Sequence, residues 1–198
     1  MRWRKTPYPD KLGGVVEADE TYVGGKRKGT GVKDGMQAKT PVFSLLQRGG
    51  RVLSFAMPRV TGKNLKQVIR ENVDKQATIM TDSFIGYRGL KYEFAGHEMV
   101  DHSRDEWVRG NAYANTVENY FSLLKRGIIG TYHLVSTQHL HRYLAEFDFR
   151  YNHRNVPDMI RAMEATRNAE GKRLQYRRLI GRRRPRRSMR AGVAFVSE

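Results

Sequence analysis

The chain has 198 residues, 39% of them hydrophobic, and its 37 Lys and Arg outweigh 20 Asp and Glu to give a formal charge of +17. That length suits one domain with a real core, while the lack of any cysteine excludes disulfides and thiolate metal sites. No run approaches the ~20 apolar residues that cross a bilayer. The basic excess calls for a polyanionic partner, nucleic acid first. Met1-Arg2-Trp3-Arg4-Lys5 does not open a signal peptide, so the cytoplasm is the expected compartment.

Residues 1–14 are basic and turn-rich, with Pro7, Pro9, Gly13 and Gly14, and read as an arm. A β-branched run, Val15 to Val23, predicts the first strand, and Gly24-Gly25 stops it. Lys26 to Lys39 is a Gly-rich basic loop containing Lys26, Arg27, Lys28, Lys33 and Lys39. Val42–Gln47 and Val52–Met57 predict two more strands around the hairpin signal Arg48-Gly49-Gly50-Arg51. Lys63–Val73 places Leu65, Val68 and Ile69 on one helical face. Ala77–Thr81 predicts a fourth strand, Ser83–Leu90 a turn or short helix, and His97–Val100 a short fifth strand. Helices are expected over about Ala112–Arg126, Thr137–Asn152 and Ala162–Tyr176. The remaining tail carries Arg177-Arg178, Arg182-Arg183-Arg184 and Arg186-Arg187, a like-charge block expected to be partly disordered unless bound.

Three acids stand out. Asp19 lies within the first strand, Asp82 closes the fourth, and Glu118 sits on a predicted helix. On that helix Lys125 follows Glu118 by seven residues, almost two turns, so both share one face with Asn115, Asn119 and Ser122. Val117, Tyr120, Phe121, Leu124 and Ile128 form the opposite, apolar face, and Leu123 fits neither stripe. Along the first strand Glu17 and Thr21 point to the side of Asp19, and Glu20 to the other. Two strand carboxylates and one helix carboxylate can hold two hard cations roughly 3.5–4 Å apart, the arrangement that drives in-line phosphodiester displacement. The plainer alternatives are an edge-strand charge for Asp19, a helix cap for Asp82 or Ser83, and a solvated amphipathic surface for Glu118 and Lys125. His133, His139, His141 and His153 show no zinc-ligand spacing.

The blocks Glu17-Ala18-Asp19-Glu20-Thr21-Tyr22-Val23-Gly24-Gly25-Lys26, Thr81-Asp82-Ser83-Phe84-Ile85-Gly86-Tyr87 and Asn115-Thr116-Val117-Glu118 through Leu124-Lys125-Arg126-Gly127 follow one another in order. With Val100-Asp101-His102-Ser103 and Phe149-Arg150-Tyr151-Asn152-His153-Arg154, they resemble the DDE-type transposases of bacterial insertion sequences, over roughly residues 12–155. The resemblance implies an RNase H-like α/β fold, in which three antiparallel strands begin a mixed sheet and later strands add in parallel between helices. It divides the chain into a basic arm (1–14), a catalytic domain (15–155) and a basic tail (156–198). It implies Asp19 and Asp82 as ligands of Mg2+ or Mn2+, with Glu118 as the third and Asn115 as the runner-up, because some relatives use Asn there. Lys125 would contact a phosphate near the scissile bond. His102, Arg126, the loop cations Lys26, Arg27 and Lys28, and the tail arginines Arg182, Arg183 and Arg184 are further candidate DNA contacts. The implied partners are double-stranded DNA, both element ends and target, and at least one more copy of the chain, in a bacterial, nucleoid-associated setting away from any membrane. Such relatives usually carry an N-terminal zinc ribbon or helix-turn-helix ahead of this core, and here about fourteen residues precede the first strand. Two other functions compete: an RNase H-like nuclease without strand transfer, and a non-catalytic basic nucleic-acid-binding protein left by truncation.

Overall fold

The computed structural model describes residues 10–24, 39–100 and 115–171. Five strands form one sheet in the order β3-β2-β1-β4-β5. β1 (Val15–Val23), β2 (Thr40–Gln47) and β3 (Val52–Ala56) are antiparallel neighbours. The β2–β3 turn closes through the Gln47 amide donating to the Arg51 carbonyl at 2.8 Å, with Gly49 at φ 68°, where a side chain would be strained. β4 (Thr78–Asp82) adds parallel to β1, and β5 (Gly96–Val100) parallel to β4. A parallel step needs a crossover, and α1 (Gly62–Asn72) supplies it between β3 and β4. The Thr61 hydroxyl caps α1 by accepting from the Asn64 amide.

Strand alternation sorts β1 between two cores. Val16 and Ala18 pack with Phe43, Leu45, Leu65, Val68 and Ile69 on the α1 side. Val23 packs with Val42, Leu46 and Val52 against α2 (Asn115–Gly127) and α3 (Leu140–Asn152) on the other. The expected apolar stripe of α2, Val117, Tyr120, Phe121, Leu124 and Ile128, is buried throughout, and Leu123 stays 47% exposed. The result is the RNase H-like mixed sheet with helices on both faces.

Four details differ from the expectations. The inner end of the expected arm is not an arm. Leu12 is fully buried, bridges Val73, and exchanges backbone hydrogen bonds with Asn72 and Asp74. Burying one leucine stabilises by about 1.5–3 kcal/mol, which outweighs the local turn signals. α2 does not end at Arg126 but runs on as a π-helical turn, Ile128–Tyr132, and then His133 adopts φ 57°. α3 starts at Leu140 rather than Thr137, whose hydroxyl instead meets that of Thr40 at 3.0 Å. The last described helix, α4, spans Asp158–Ala169 and so starts earlier than the expected Ala162, with Pro157 at its N-cap.

α3 also closes the outer edge of the sheet. Asn152 accepts from the Val52 amide at 2.7 Å and donates to the Val52 carbonyl at 3.0 Å. Asp148 accepts from the Ser54 amide at 3.0 Å, from the Ser54 hydroxyl at 2.7 Å and from the Tyr120 hydroxyl at 2.7 Å. The chain divides into two units, Met1–Asn155 and Val156–Glu198. Within the second, α4 carries an Arg161–Asp158 ion pair and exposes Met159, Ile160 and Met163.

Candidate active site

Asp19 and Asp82 are set level by the parallel ladder. β1 and β4 pair Val15 with Thr78, Val16 with Ile79 and Glu17 with Met80. Two residues on, Asp19 and Asp82 stand level with each other just beyond the last pair, with both side chains on the face of Glu17 and Met80. The paired residues end at Glu17 and Met80, so the two acids flank the point where the ladder stops. Asp19 Oδ1 accepts from the Glu20 amide at 2.7 Å. Asp82 Oδ1 accepts from the Phe84 amide at 3.1 Å, the local turn contact expected of an Asp at a strand end.

Glu118 approaches from above. It lies in the first turn of α2, and the helix enters over β1 because buried Glu17 accepts from the amides of Thr116 and Val117, each at 3.0 Å. The buried stripe then lays α2 along β1 toward Val23. The electrostatics register this convergence. Asp19 is raised from its ordinary 3.8 to about 7, chiefly by burial. Its bond from the Glu20 amide lowers it, and the charges of Glu20, Asp82 and Glu118 each push it further up. Three elements distant in sequence therefore bring Asp19, Asp82 and Glu118 within electrostatic reach of one another. Among the described residues no three His, Asp or Glu side chains close round one point as a single ion's ligands. The donor set itself fits hard divalent cations: carboxylate oxygens, one of them half-buried and destabilised by neighbouring negative charge.

Glu20 lies on the opposite face of β1, where the Tyr87 hydroxyl donates to it at 2.5 Å. Burial raises the Glu20 carboxyl, the Tyr87 bond lowers it, and Asp82 raises it. Tyr87 is itself lifted well above the ordinary tyrosine value, first by burial, then by Glu20, with Asp82 and Asp19 adding to it. Asn115 occupies the start of α2 and Lys125 its last turns. Lys125 shares a hollow of about 460 Å³ with Tyr22, Val23, Gly24, Lys39 and His133 at the far end of β1. Arg126 is exposed on α2 and donates to the Ser122 carbonyl. Lys26, Arg27, Lys28, His102, Arg182, Arg183 and Arg184 lie outside the described residues.

The sequence marked Glu17 only by its side of the strand and as the start of a motif block, and Tyr87 only as part of a motif block. The signal for Glu17 is a carboxylate at an inward-facing position of a central strand, which needs a partner when buried. The signal for Tyr87 is weaker, since a tyrosine after a turn is commonly a packing residue.

Residues 11–152 match the family model of the ISXO2-like transposase domain. The chain belongs to this transposase-domain family. The match takes in all five strands, α1 to α3, and every acid of the site, and leaves α4 and the basic tail outside. An uncharacterized protein in transposable element ISH50 of Halobacterium salinarum is 30% identical over 166 residues, covering 76% of this chain and 56% of that protein. The chain thus spans about half the length of that relative. An uncharacterized transposase-like protein of Haemophilus influenzae is 26% identical over 110 residues, 56% of this chain and 88% of that one. A solved chain from the simian T-cell lymphotropic virus intasome in complex with PP2A regulatory subunit B56 gamma aligns at TM-score 0.45 and 15% identity, covering 74% of this chain and 51% of that one. Within the transposase domain, the acid cluster is a patch of negative charge on a chain whose formal charge is +17.

Proposed function

We propose that this transposase domain cuts a DNA strand at the end of its element and joins the freed 3′-OH to target DNA, using Asp19, Asp82 and Glu118 to hold two Mg2+ or Mn2+ ions. The observation that carries the reading is the placement of three acids from three elements: Asp19 in β1, Asp82 at the end of β4 and Glu118 in the first turn of α2, with the charges of Asp82 and Glu118 both pushing the half-buried Asp19 carboxyl up. Clustering acids this way costs stability unless positive charge is delivered to them. When bound, divalent cations supply charge stabilisation to the attacking and leaving oxygens of an in-line displacement. Asp19, with Asp82 and Glu118 facing it, would hold the cations, and Asp19 would give up its proton to do so. In the first step water adds to the scissile phosphorus while the P–O3′ bond breaks, leaving a 3′-OH and a 5′-phosphate. In the second the 3′-OH adds to a target phosphorus and displaces the target's own 3′ oxygen. Lys125, about 10 Å along the helix axis from Glu118, suits a phosphate next to the reacting one. Asn115, at the start of α2, is the alternative third ligand. Duplex DNA, both element ends and target, is the proposed substrate, and a second copy of the chain the proposed partner.

The test is incubation of the full chain with Mg2+, labelled DNA bearing candidate element ends, and target plasmid. Cleaved ends and joined products are expected, and Asp82→Ala should abolish both while DNA binding persists. Cleavage retained in Asp82→Ala overturns the reading. Cleavage without joining leaves a nuclease, and binding without Mg2+-dependent cleavage leaves a non-catalytic DNA-binding protein.

A further inference from the structure

We infer that Glu17 is a positioning residue: it holds the third acid, Glu118, opposite the first, Asp19, by tying the start of α2 to the middle of β1. The inference rests on the catalytic reading above for its consequence, but on separate contacts for its geometry. Glu17 is fully buried on the face of β1 that also carries Asp19. Its Oε2 accepts from both the Thr116 and Val117 amides at 3.0 Å, and its Oε1 accepts from Arg48 Nε at 2.7 Å. Arg48 is fixed in turn, because its amide donates to the Val15 carbonyl at 2.9 Å. One carboxylate therefore joins β1, the β2–β3 turn and α2.

The first amides of a helix lack partners within the helix and are normally met by a side chain just before it. Glu17 performs this task from 99 and 100 residues away. A negative group also suits the positive end of the helix. Glu118 directly follows the second anchored amide, so its Cα lies only about 3.8 Å along the chain from an anchored residue. Asp19 lies two residues, or roughly 7 Å, along β1 from the same carboxylate. The separation of the two acids is thereby set by one rigid link rather than by the apolar stripe of α2, which alone would tolerate sliding. Glutamine at this position has the same shape but one acceptor oxygen and one donor nitrogen, so it cannot serve both the helix amides and Arg48.

The experiment uses the full chain and Glu17→Gln, with two readouts. The first is hydrogen exchange at the Thr116 and Val117 amides without metal. The second is Mn2+ affinity, measured by the resonance of free Mn2+. Faster exchange at those amides is expected, together with Mn2+ binding weakened by about 10–100-fold, the usual loss when a group that orients a metal ligand is removed. Affinity for DNA in the absence of metal should not change. Unchanged exchange overturns the anchor, and faster exchange with unchanged Mn2+ affinity overturns its role in placing Glu118. If Glu17→Gln does not fold, Arg48→Gln removes only the outer partner and is judged by the same two readouts. Asp82→Ala separates the two levels: if it keeps full cleavage, the catalytic reading fails, while the exchange result still decides the anchor.

Discussion

Asp19→Asn should make the metal-free protein more stable while destroying its chemistry. The native carboxyl holds its proton up to about 7, whereas its ordinary value is 3.8. Between those values the native state binds more protons than the unfolded chain, so stability falls as pH rises through that window. A shift of about three units corresponds to roughly 4 kcal/mol, at 1.36 kcal/mol per unit, as a ceiling on what ionising Asp19 costs. Asn keeps an oxygen for the Glu20 amide and has no proton to lose. Relative to wild type, Asp19→Asn should therefore gain about 2–4 kcal/mol between pH 4 and pH 8, seen as a rise in Tm on the order of 10 °C for a chain of this size. Thermal or urea unfolding in a chelating buffer at pH 4.5, 6 and 8 reads the difference directly. Adding Mg2+ should then stabilise wild type and not the variant. If the two proteins differ by the same amount at every pH, the Asp19 carboxyl is not raised in the native state, and the electrostatic argument for the site is wrong.

Glu118→Gln and Asn115→Ala, compared for Mg2+-dependent cleavage, should show the larger loss in Glu118→Gln; the reverse order would make Asn115 the third ligand. Lys125→Ala should lower the cleavage rate more than DNA affinity in filter-binding and single-turnover assays, and equal losses in both would reduce it to a general phosphate contact. Asp148→Ala leaves the Ser54 amide, the Ser54 hydroxyl and Tyr120 without their shared acceptor. It should cost about 3–5 kcal/mol in urea unfolding, because a buried charged acceptor of several donors is removed; a loss below about 1 kcal/mol would mean the network repairs itself.

The parts that were legible in the sequence are those set by local period. Val16 and Ala18 against Glu17 and Asp19 read as a two-faced strand, and the α2 stripe of Val117, Tyr120, Phe121 and Leu124 needed only a helical repeat. Asp82 was readable at a strand end because an apolar run stops there. The topology was legible only through family resemblance, since period alone does not tell a parallel neighbour from an antiparallel one. What stayed hidden depends on partners far along the chain. Leu12 looked like part of a loop until Val73 supplied its bridge, and nothing local to Thr116 and Val117 pointed to Glu17 as the acceptor of their amides. The π turn after Gly127 breaks no composition rule and could not be read from Ile128-Ile129-Gly130-Thr131-Tyr132.

The amide of Asn152 imitates one peptide unit of a neighbouring strand. It offers Val52 an acceptor and a donor at the spacing a sixth strand would provide, and Asp148 extends the imitation to Ser54. A second polypeptide seeking to lengthen the sheet past β3 would first have to pull α3 away and uncover the apolar surface beneath it. Exposed strand edges are common starting points for unwanted association. A helix that impersonates a strand keeps this border shut without adding residues to the sheet, so crowded copies of the chain are not stitched backbone to backbone along β3.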